Sequence, residues 1–558
     1  KEDGTVSSLG YNVNGELGNG AKASTTAVQK VSNLTEIMQV AGSKNGNFGA
    51  AVKEDGTVWT WGANTKGQLG NGTTDSPKLN AIQVGSSGSN AMRITHGSVT
   101  NQDTGIQRVE FNNELITNVL IAENEEFHIF EDGISLNQSF SLLPDSQEVK
   151  AGSVEYTSFN PNIATVGKYT GIVTPVKGIY GTAIIIAKSD GYSSIIRVSI
   201  KPQDTDDVKS VAKPMVATGA SHTIALKYDG TVWTWGNNTN GQLGNNSTEN
   251  SSSPVQVKSA DGNTFLTNII EISAGSGHNM ALRNDGTVWT WGSNTYGQLG
   301  NGSSVNSMLP VQVKSADGNS FLADIVQISA GYVHSMALKK DGTVLAWGRN
   351  DGGQLGNNNT SNKSLPVQVK GGASGSEYLT DVVQVTAGNW HSMALKANGT
   401  VYAWGWGQYG QLGNGYTTNR DDTDYYSYEK IYSAPVQVLN GAQTSETGYL
   451  KEVVQIDAMG GTGRGEKNRF GTSLAVTESK EVYGWGNSMY GALGVNASIV
   501  STPVRVATGI STAVQVAGGG KSGSDDYHVN SIGNTGYTYI LKEDGTVSSL
   551  GYNVNGEL

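Results

Sequence analysis

Four histidines, His222, His278, His334 and His391, each stand three residues after a glycine in a repeated segment. Imidazoles gathered around one axis could hold a metal ion, because the neutral ring is a good metal ligand. Other copies of the segment carry Phe48, Phe470 or Tyr537 near this position, which a ring of ligands would not tolerate. The competing reading is that each imidazole satisfies one local backbone bond, the same in every copy. Gly518-Gly519-Gly520-Lys521-Ser522 ends like a phosphate-binding loop, yet Gln515 stands where the first glycine of that motif belongs. The tract instead lengthens a loop, as does the stretch from Gly460 to Arg469. Together they bring Arg464, Lys467, Arg469 and Lys521 to neighbouring units, as an anion-attracting patch or a solvated loop.

A third cluster stands out by composition. Asp421, Asp422 and Asp424 lie beside Tyr425, Tyr426 and Tyr428 in a long insertion. Hard carboxylate oxygens could take Ca2+, and amphipathic rings could meet a protein or glycan partner. The spacing is not that of a helix-loop-helix calcium site, so these six residues and the four cations are named as partner-contact candidates. No Ser/His/Asp arrangement or paired-carboxylate motif is legible in the spacing. The chain is expected to be non-enzymatic, with no cofactor and no metal; an enzyme would have to carry its catalytic groups in irregular loops.

The elements that must position these residues follow from composition and repeats. With 75 glycines in 558 residues and only 15% charged residues, the chain is turn-dense and β-rich. A net charge of -11 without a basic stripe argues against nucleic acid. No run approaches the ~18 apolar residues a membrane helix needs, so no membrane insertion is expected. Zero cysteines removes disulfides and thiol chemistry without deciding the compartment.

An Asp-Gly-Thr-Val or Asn-Gly-Thr-Val turn and strand recurs at Gly56, Gly230, Gly286, Gly342, Gly399 and Gly545, with a degenerate copy at Ser479 to Val482. Gly230, Gly286 and Gly342 are 56 residues apart, and Gly399 follows after 57. Around each turn the apolar residues alternate, the signature of a hairpin with a two-residue loop. Each unit is then a small antiparallel sheet, which cannot bury its apolar faces alone and must pack on its neighbours. Radial packing of seven such sheets gives a β-propeller.

The motifs His334-Ser335-Met336-Ala337-Leu338, Asp341-Gly342-Thr343-Val344, Trp347-Gly348 and Gly353-Gln354-Leu355-Gly356 resemble the regulator of chromosome condensation repeat. That resemblance covers roughly four fifths of the chain and implies an all-β, seven-bladed propeller of four-stranded blades, closed or wound as a spiral. The family's founding member exchanges nucleotide on a small GTPase and binds chromatin. Such activities belong to individual surface loops and do not travel with the repeat signature. Residues 155–202 interrupt the pattern with short strands and resemble the group 2 bacterial immunoglobulin-like domain. The expected organisation is propeller repeats over 1–84, an inserted β-sandwich over 85–213, and the remaining repeats over 214–558. Residues 85–141 read as a diverged first sheet, a linker or an additional subdomain.

Residues 1–17 and 542–558 are the same seventeen letters, KEDGTVSSLGYNVNGEL, separated by 541 positions. The two copies compete for equivalent strand positions through Thr5, Val6 and Leu9 or Thr546, Val547 and Leu550. In both, Ser-Ser-Leu-Gly replaces Trp-x-Trp-Gly, so this unit buries less aromatic surface and reads as a seam. A period of this kind suggests one turn of a tandem array. The expectation is a structural or adhesive module of a giant bacterial extracellular or cell-surface fibre, its main partner a neighbouring copy of itself. The alternative is a recognition propeller that binds a protein or glycan. An array should use exposed loops between periods, whereas a recognition module should concentrate an aromatic pocket on one face. Excising residues 85–213 and joining Val84 to Pro214 is expected to leave cooperative unfolding of the repeats intact by calorimetry. Loss of that transition would show that the insertion is not independent.

Overall fold

In a computed structural model of the chain, six units become four-stranded antiparallel sheets. The structure describes residues 48–85 without 54–56, and 214–506 without 373–376, 417–430, 442–447, 460–470 and most of 489–498. Elsewhere it describes chiefly the strands named below, and every described element is a strand. Sheet 1 comprises Ile37–Gly42, Phe48–Lys53, Val58–Gly62 and Lys78–Gln83, and sheet 2 Met215–Thr218, His222–Leu226, Val232–Gly236 and Ser251–Gln256. Sheet 3 comprises Ile269–Ala274, His278–Arg283, Val288–Gly292 and Ser307–Gln312, and sheet 4 Ile325–Ala330, His334–Lys339, Val344–Gly348 and Lys363–Gln368. Sheet 5 runs through Val382–Ala387, His391–Lys396, Val401–Trp406 and Ile431–Gln437, and sheet 6 through Val453–Met459, Thr472–Thr477, Val482–Asn487 and Ile499–Arg505. Within each sheet, strands pair in chain order.

The hairpin loop differs from the two-residue loop expected from the sequence. Lys227 N–H bonds Thr231 C=O at 2.9 Å and Gly230 N–H bonds Lys227 C=O at 3.0 Å, which leaves three residues in the loop. Gly230 takes the left-handed conformation, φ 72°, that closes such a loop. Asp229 Oδ1 accepts from both the Thr231 N–H (3.0 Å) and its hydroxyl (2.6 Å), so Asp-Gly-Thr is a self-bonded turn. The same bonds recur at Asp285-Thr287 and Asn398-Thr400.

Successive sheets are joined by two sets of contacts. The tryptophan of the third strand's Trp-Gly packs into the core of the preceding sheet: Trp291 lies with Ile224, Leu226 and Val257, and Trp347 with Met280, Leu282 and Val313. Its indole N–H donates to the carbonyl of a glutamine in the preceding unit's Gly-Gln-Leu-Gly loop. The bonds are Trp291 to Gln242 (3.0 Å), Trp347 to Gln298 (2.9 Å), Trp404 to Gln354 (2.9 Å) and Trp485 to Gln411 (3.1 Å). The last glycine of that loop must lack a side chain, since a Cβ on Gly244 would sit 2.9 Å from Trp291 Nε1. The same glutamine carbonyl takes a second bond: Ser335 Oγ donates to Gln298 O at 2.8 Å and Ser473 Oγ to Gln411 O at 2.8 Å. A hydroxyl that has given its proton away can only accept, so the histidine facing it must carry hydrogen on Nε2. The contacts are His278 to Ser335 (3.1 Å), His334 to Ser392 (2.9 Å) and His391 to Ser473 (2.9 Å), with Asn279 serving His222 at 2.9 Å.

This corrects the sequence reading of the histidines, whose partner is a side chain of the next sheet and not a local backbone group. Burial pushes His222 down to about 4, against the opposing Asn279 bond, and His391 down to about 3. Both are neutral in the folded state at pH 7. Because the unfolded rings protonate near their ordinary value of 6.5, their contribution is full above that pH and is lost as pH falls toward 4 and 3.

The first strands converge, each packing on the first strand of the next sheet. Gln384 clasps Ile456 through both amide atoms, accepting at 2.9 Å and donating at 3.2 Å, and Gln455 clasps Val516 at 2.7 and 3.1 Å. Gln327 accepts from Val385 N–H at 2.8 Å. Two residues further on, Ser273 Oγ accepts from Ala330 N–H and Ser329 Oγ from Ala387 N–H. In sheet 3 the clasp position is Glu271, half-buried by surface area but closed in by protein; desolvation raises it to about 8 while the Ile328 backbone bond opposes. A protonated carboxyl has one acceptor and one donor, as glutamine does.

Beyond sheet 6, Ala513–Gly520, Gly536–Lys542 and Val547–Gly551 form a three-stranded sheet, and Ser7–Gly10 pairs with Thr25–Lys30. The interrupting region contains a five-stranded sheet, ordered Glu155–Ser158, Gly181–Ser189, Tyr192–Pro202, Gln107–Glu114, Glu126–Ile129. A three-stranded sheet of Ala164–Val166, Ile172–Pro175 and Ile134–Ser135 accompanies it. Gln107–Glu114 therefore shares a sheet with Tyr192–Pro202.

Two outcomes follow from the joints. Glu271→Gln is expected to leave stability at pH 4 nearly unchanged and to raise it at pH 8.5 by about 1 kcal/mol or more. The native carboxyl stabilises fully below its ordinary 4.5 and loses that contribution as pH rises to about 8. Urea unfolding at the two pH values checks this, and equal shifts at both would refute it. Ser473→Ala removes the acceptor of His391 and one donor to Gln411, and should cost about 1–3 kcal/mol; a change within experimental error would show that the joint does not depend on it.

Candidate functional site

In an antiparallel four-stranded unit, the links from first to second and from third to fourth strand lie at one end. The Asp-Gly-Thr hairpins lie at the other. The first end carries two positions beside the joint that change from unit to unit. After the Trp-Gly of the third strand stand Ala63, Asn237, Ser293, Arg349, Trp406 and Asn487 in sheets 1 to 6. Before the histidine stand Ser221, Gly277, Val333 and Trp390 in sheets 2 to 5. Small and polar residues fill these places in sheets 1 and 2, while large rings and a guanidinium fill them in sheets 4 and 5.

Those residues meet. The Arg349 guanidinium carbon lies 4.7 Å from the Tyr296 ring centre and 4.7 Å from that of Trp390. Tyr332 tilts against Trp390 with centroids 5.8 Å apart. Asp351 grips Arg349 with two bonds, at 2.8 and 2.7 Å, and so fixes the plane of the guanidinium between the rings. Arg349 and Trp390 are buried, Tyr296, Tyr332 and Asp351 half-buried, so the cluster shows rings and a carboxylate at its surface. Trp406 N–H bonds Trp390 C=O at 2.9 Å and brings a further indole to the same loops.

The cluster displaces a framework bond. In sheets 2 and 3 the loop glutamine amide finds an acceptor, Gln242 on Asn237 Oδ1 at 2.9 Å and Gln298 on Ser293 Oγ at 3.3 Å. Arg349 has no acceptor to offer, and among the described residues Gln354 Nε2 is buried without a hydrogen-bond partner. Asn389 Nδ2, beside Trp390, is left likewise. A buried unmet donor costs about 1–3 kcal/mol, and among the described residues the joint indole Trp235 Nε1 is left without a partner as well.

At the opposite end, Phe265, Phe321, Tyr378 and Tyr449 occupy one position in four successive links and are each about half exposed. Each pairs its backbone with the second residue after the fourth strand, as in Lys258 with Phe265 and Lys314 with Phe321.

The candidates named from sequence fall elsewhere. Asp421, Asp422, Asp424, Tyr425, Tyr426, Tyr428, Arg464, Lys467, Arg469 and Lys521 lie outside the described residues, as do Thr5, Val6 and Thr546. Leu9, Val547 and Leu550 lie in strands. Sequence reasoning missed the Arg349 cluster because Tyr296, Tyr332, Arg349 and Trp390 stand 17 to 94 residues from one another along the chain. The signal that would have found it was the contrast between fixed and changing positions of the repeat.

The chain matches the RCC1-like domain over residues 193–523 and the regulator of chromosome condensation repeat over 55–96. It is 28% identical over 317 residues to the ultraviolet-B receptor UVR8 of Arabidopsis thaliana, covering 52% of this chain and 69% of that one. It is 32% identical over 221 residues to the E3 ubiquitin-protein ligase HERC2 of Homo sapiens, covering 39% of this chain but 4% of the ligase. It is 33% identical over 243 residues to protein pim1 of Schizosaccharomyces pombe, covering 38% of this chain and 42% of that one. Among solved structures, yeast RCC1 (Prp20) bound to Kap60 superposes with a TM-score of 0.51 at 16% identity, over 90% of this chain and 84% of that one. Prp20p of Saccharomyces cerevisiae, described with its binding to Gsp1p and histones, gives 0.50 at 16% identity, over 91% and 87%. At that identity the likeness concerns the fold. With the family match spanning more than half of its length, and with four-stranded sheets joined by a repeated loop, this chain belongs to the RCC1-like domain family of β-propellers.

Proposed function

We propose that this chain is a non-enzymatic protein-recognition module, with its docking centre at the loop end that carries Tyr296, Tyr332, Arg349 and Trp390. The observation that carries the reading is the concentration of rings and one fixed guanidinium in sheets 3 to 5, against small residues at the matching places of sheets 1 and 2. Tryptophan, tyrosine and arginine are the residue types in which interface energy concentrates. Relatives and fold neighbours support a binding or regulatory role, since yeast RCC1 was seen with Kap60 and Prp20p studied with Gsp1p and histones. The ubiquitin ligase activity in HERC2's name belongs to a protein of which this chain matches 4%.

A second reading is favoured by the repeated seventeen residues and by the exposed row Phe265, Phe321, Tyr378 and Tyr449. In it, the chain is one period of a bacterial extracellular or cell-surface fibre, each period a seven-bladed propeller bearing residues 85–213 as an immunoglobulin-like β-sandwich branch. The two antiparallel sheets within residues 107–202 support the branch. A glycan ligand would suit the same exposed rings.

Arg349→Ala with Tyr332→Ala is expected to weaken binding of the partner that co-purifies with the native protein by about tenfold or more, with the unfolding midpoint preserved. Phe321→Ala, at the other end, should leave binding unchanged under the recognition reading. The reverse pattern, with self-association lost in Phe321→Ala, would transfer the function to the fibre.

A further inference from the structure

The three-stranded sheet beyond sheet 6 and the two-stranded sheet at Ser7–Gly10 are two parts of one unit. In sheet 2, the second and third strands pair His222 with Gly236 and Leu226 with Val232. In the three-stranded sheet, Tyr537 faces Gly551 and Leu541 faces Val547, the same register. The third and fourth strands of sheet 2 pair Trp233 with Gln256, Thr234 with Val255 and Gly236 with Ser251 around a bulge. Ser7 faces Lys30, Ser8 faces Gln29 and Gly10 faces Thr25 around a bulge at the same place. One fragment thus supplies first, second and third strands, and the other supplies third and fourth. The third strand is present twice with identical sequence, Val-Ser-Ser-Leu-Gly, and the two copies lie beside each other at the edges of their sheets.

Both fragments dock as a single unit between sheets 6 and 1 would. Ala513–Gly520 is clasped by Gln455 of sheet 6, as first strands are clasped elsewhere. Gly20, in a Gly-Glu-Leu-Gly-Asn-Gly run, gives its N–H to Leu79 C=O on the fourth strand of sheet 1 at 2.8 Å. That bond repeats at every described joint: Gly72 to Ser252, Asn246 to Met308, Gly302 to Ser364, Asn358 to Ser433 and Gly415 to Ser501.

We infer that Ser7–Gly10 and Val547–Gly551 are interchangeable occupants of one third-strand position, between Gly536–Lys542 and Thr25–Lys30. When the first copy is displaced, Val547–Gly551 bridges Gly536–Lys542 to Thr25–Lys30, placing Ser548 opposite Lys30 and Ser549 opposite Gln29.

The chain has no cysteine, so a cysteine pair reports this register without background. In full-length protein, Gln29→Cys with Ser549→Cys is combined with Ser8→Pro, which removes a backbone donor and evicts the first copy from the ladder. The expected result under mild oxidation is an intrachain disulfide in a monomer, at least tenfold more than without Ser8→Pro. Deletion of residues 1–17 in place of Ser8→Pro should give the same disulfide. The reciprocal pair, Ser8→Cys with Tyr539→Cys, should form once Ser549→Pro evicts the second copy. A disulfide joining two chains would overturn intrachain occupancy and make a second copy the occupant. Folded protein without a disulfide, or a chain that folds only with both copies intact, would overturn interchangeability.

Discussion

The backbone carbonyl of one glutamine per unit, at Gln242, Gln298, Gln354 and Gln411, is the point on which the joints depend. It lies in a loop of one sheet and accepts two bonds from the next, one from an indole and one from a hydroxyl or amide. A carbonyl has two lone-pair directions, so the arrangement is saturated and sets the angle and distance between neighbours. Everything close to it is constrained in turn. The loop glycine must be bare to admit the indole, the hydroxyl must accept from the histidine, and the histidine must sit against a glycine, as His278 does against Gly275. The repeat signature is this network written out in residues.

Apolar contact supplies the stabilisation and the polar network supplies the geometry. One continuous buried cluster runs from Met336 of sheet 4 through Trp404 and Trp485 to Val516, crossing every joint on the way. A buried aromatic can be lost only at a cost of about 3–5 kcal/mol, but hydrophobic packing alone would tolerate many rotations between sheets. The saturated carbonyls and the glutamine clasps remove that freedom. They also import titratable groups into low-dielectric surroundings, with opposed pH responses: the neutral histidines lose their contribution as pH falls below 6.5, and the protonated Glu271 loses its own as pH rises above 4.5.

A framework this repetitive makes its exceptions informative. Where Arg349 replaces the Asn or Ser that serves the loop glutamine elsewhere, a bond is forgone and a guanidinium is held between Tyr296 and Trp390 instead. Departures from local consistency tend to mark function. The seam is a second exception: its third strand lacks both tryptophans, so it exchanges more easily than strands anchored by a buried indole.

The sequence by itself determined the all-β class, the units and the hairpins, though not the hairpin loop length, because those depend on short-range alternation and on turn residues that act within a few positions. It also marked the histidines as structural, although it assigned them a local backbone bond. Only the tertiary structure decided that three of the rings reach a hydroxyl and the fourth an amide oxygen, each 57 or more residues away, that Gln107–Glu114 pairs with Tyr192–Pro202, and that Tyr296, Tyr332, Arg349 and Trp390 share one surface. Those relations are set by the packing of one sheet on the next, which turns a separation of a whole repeat into a few ångströms.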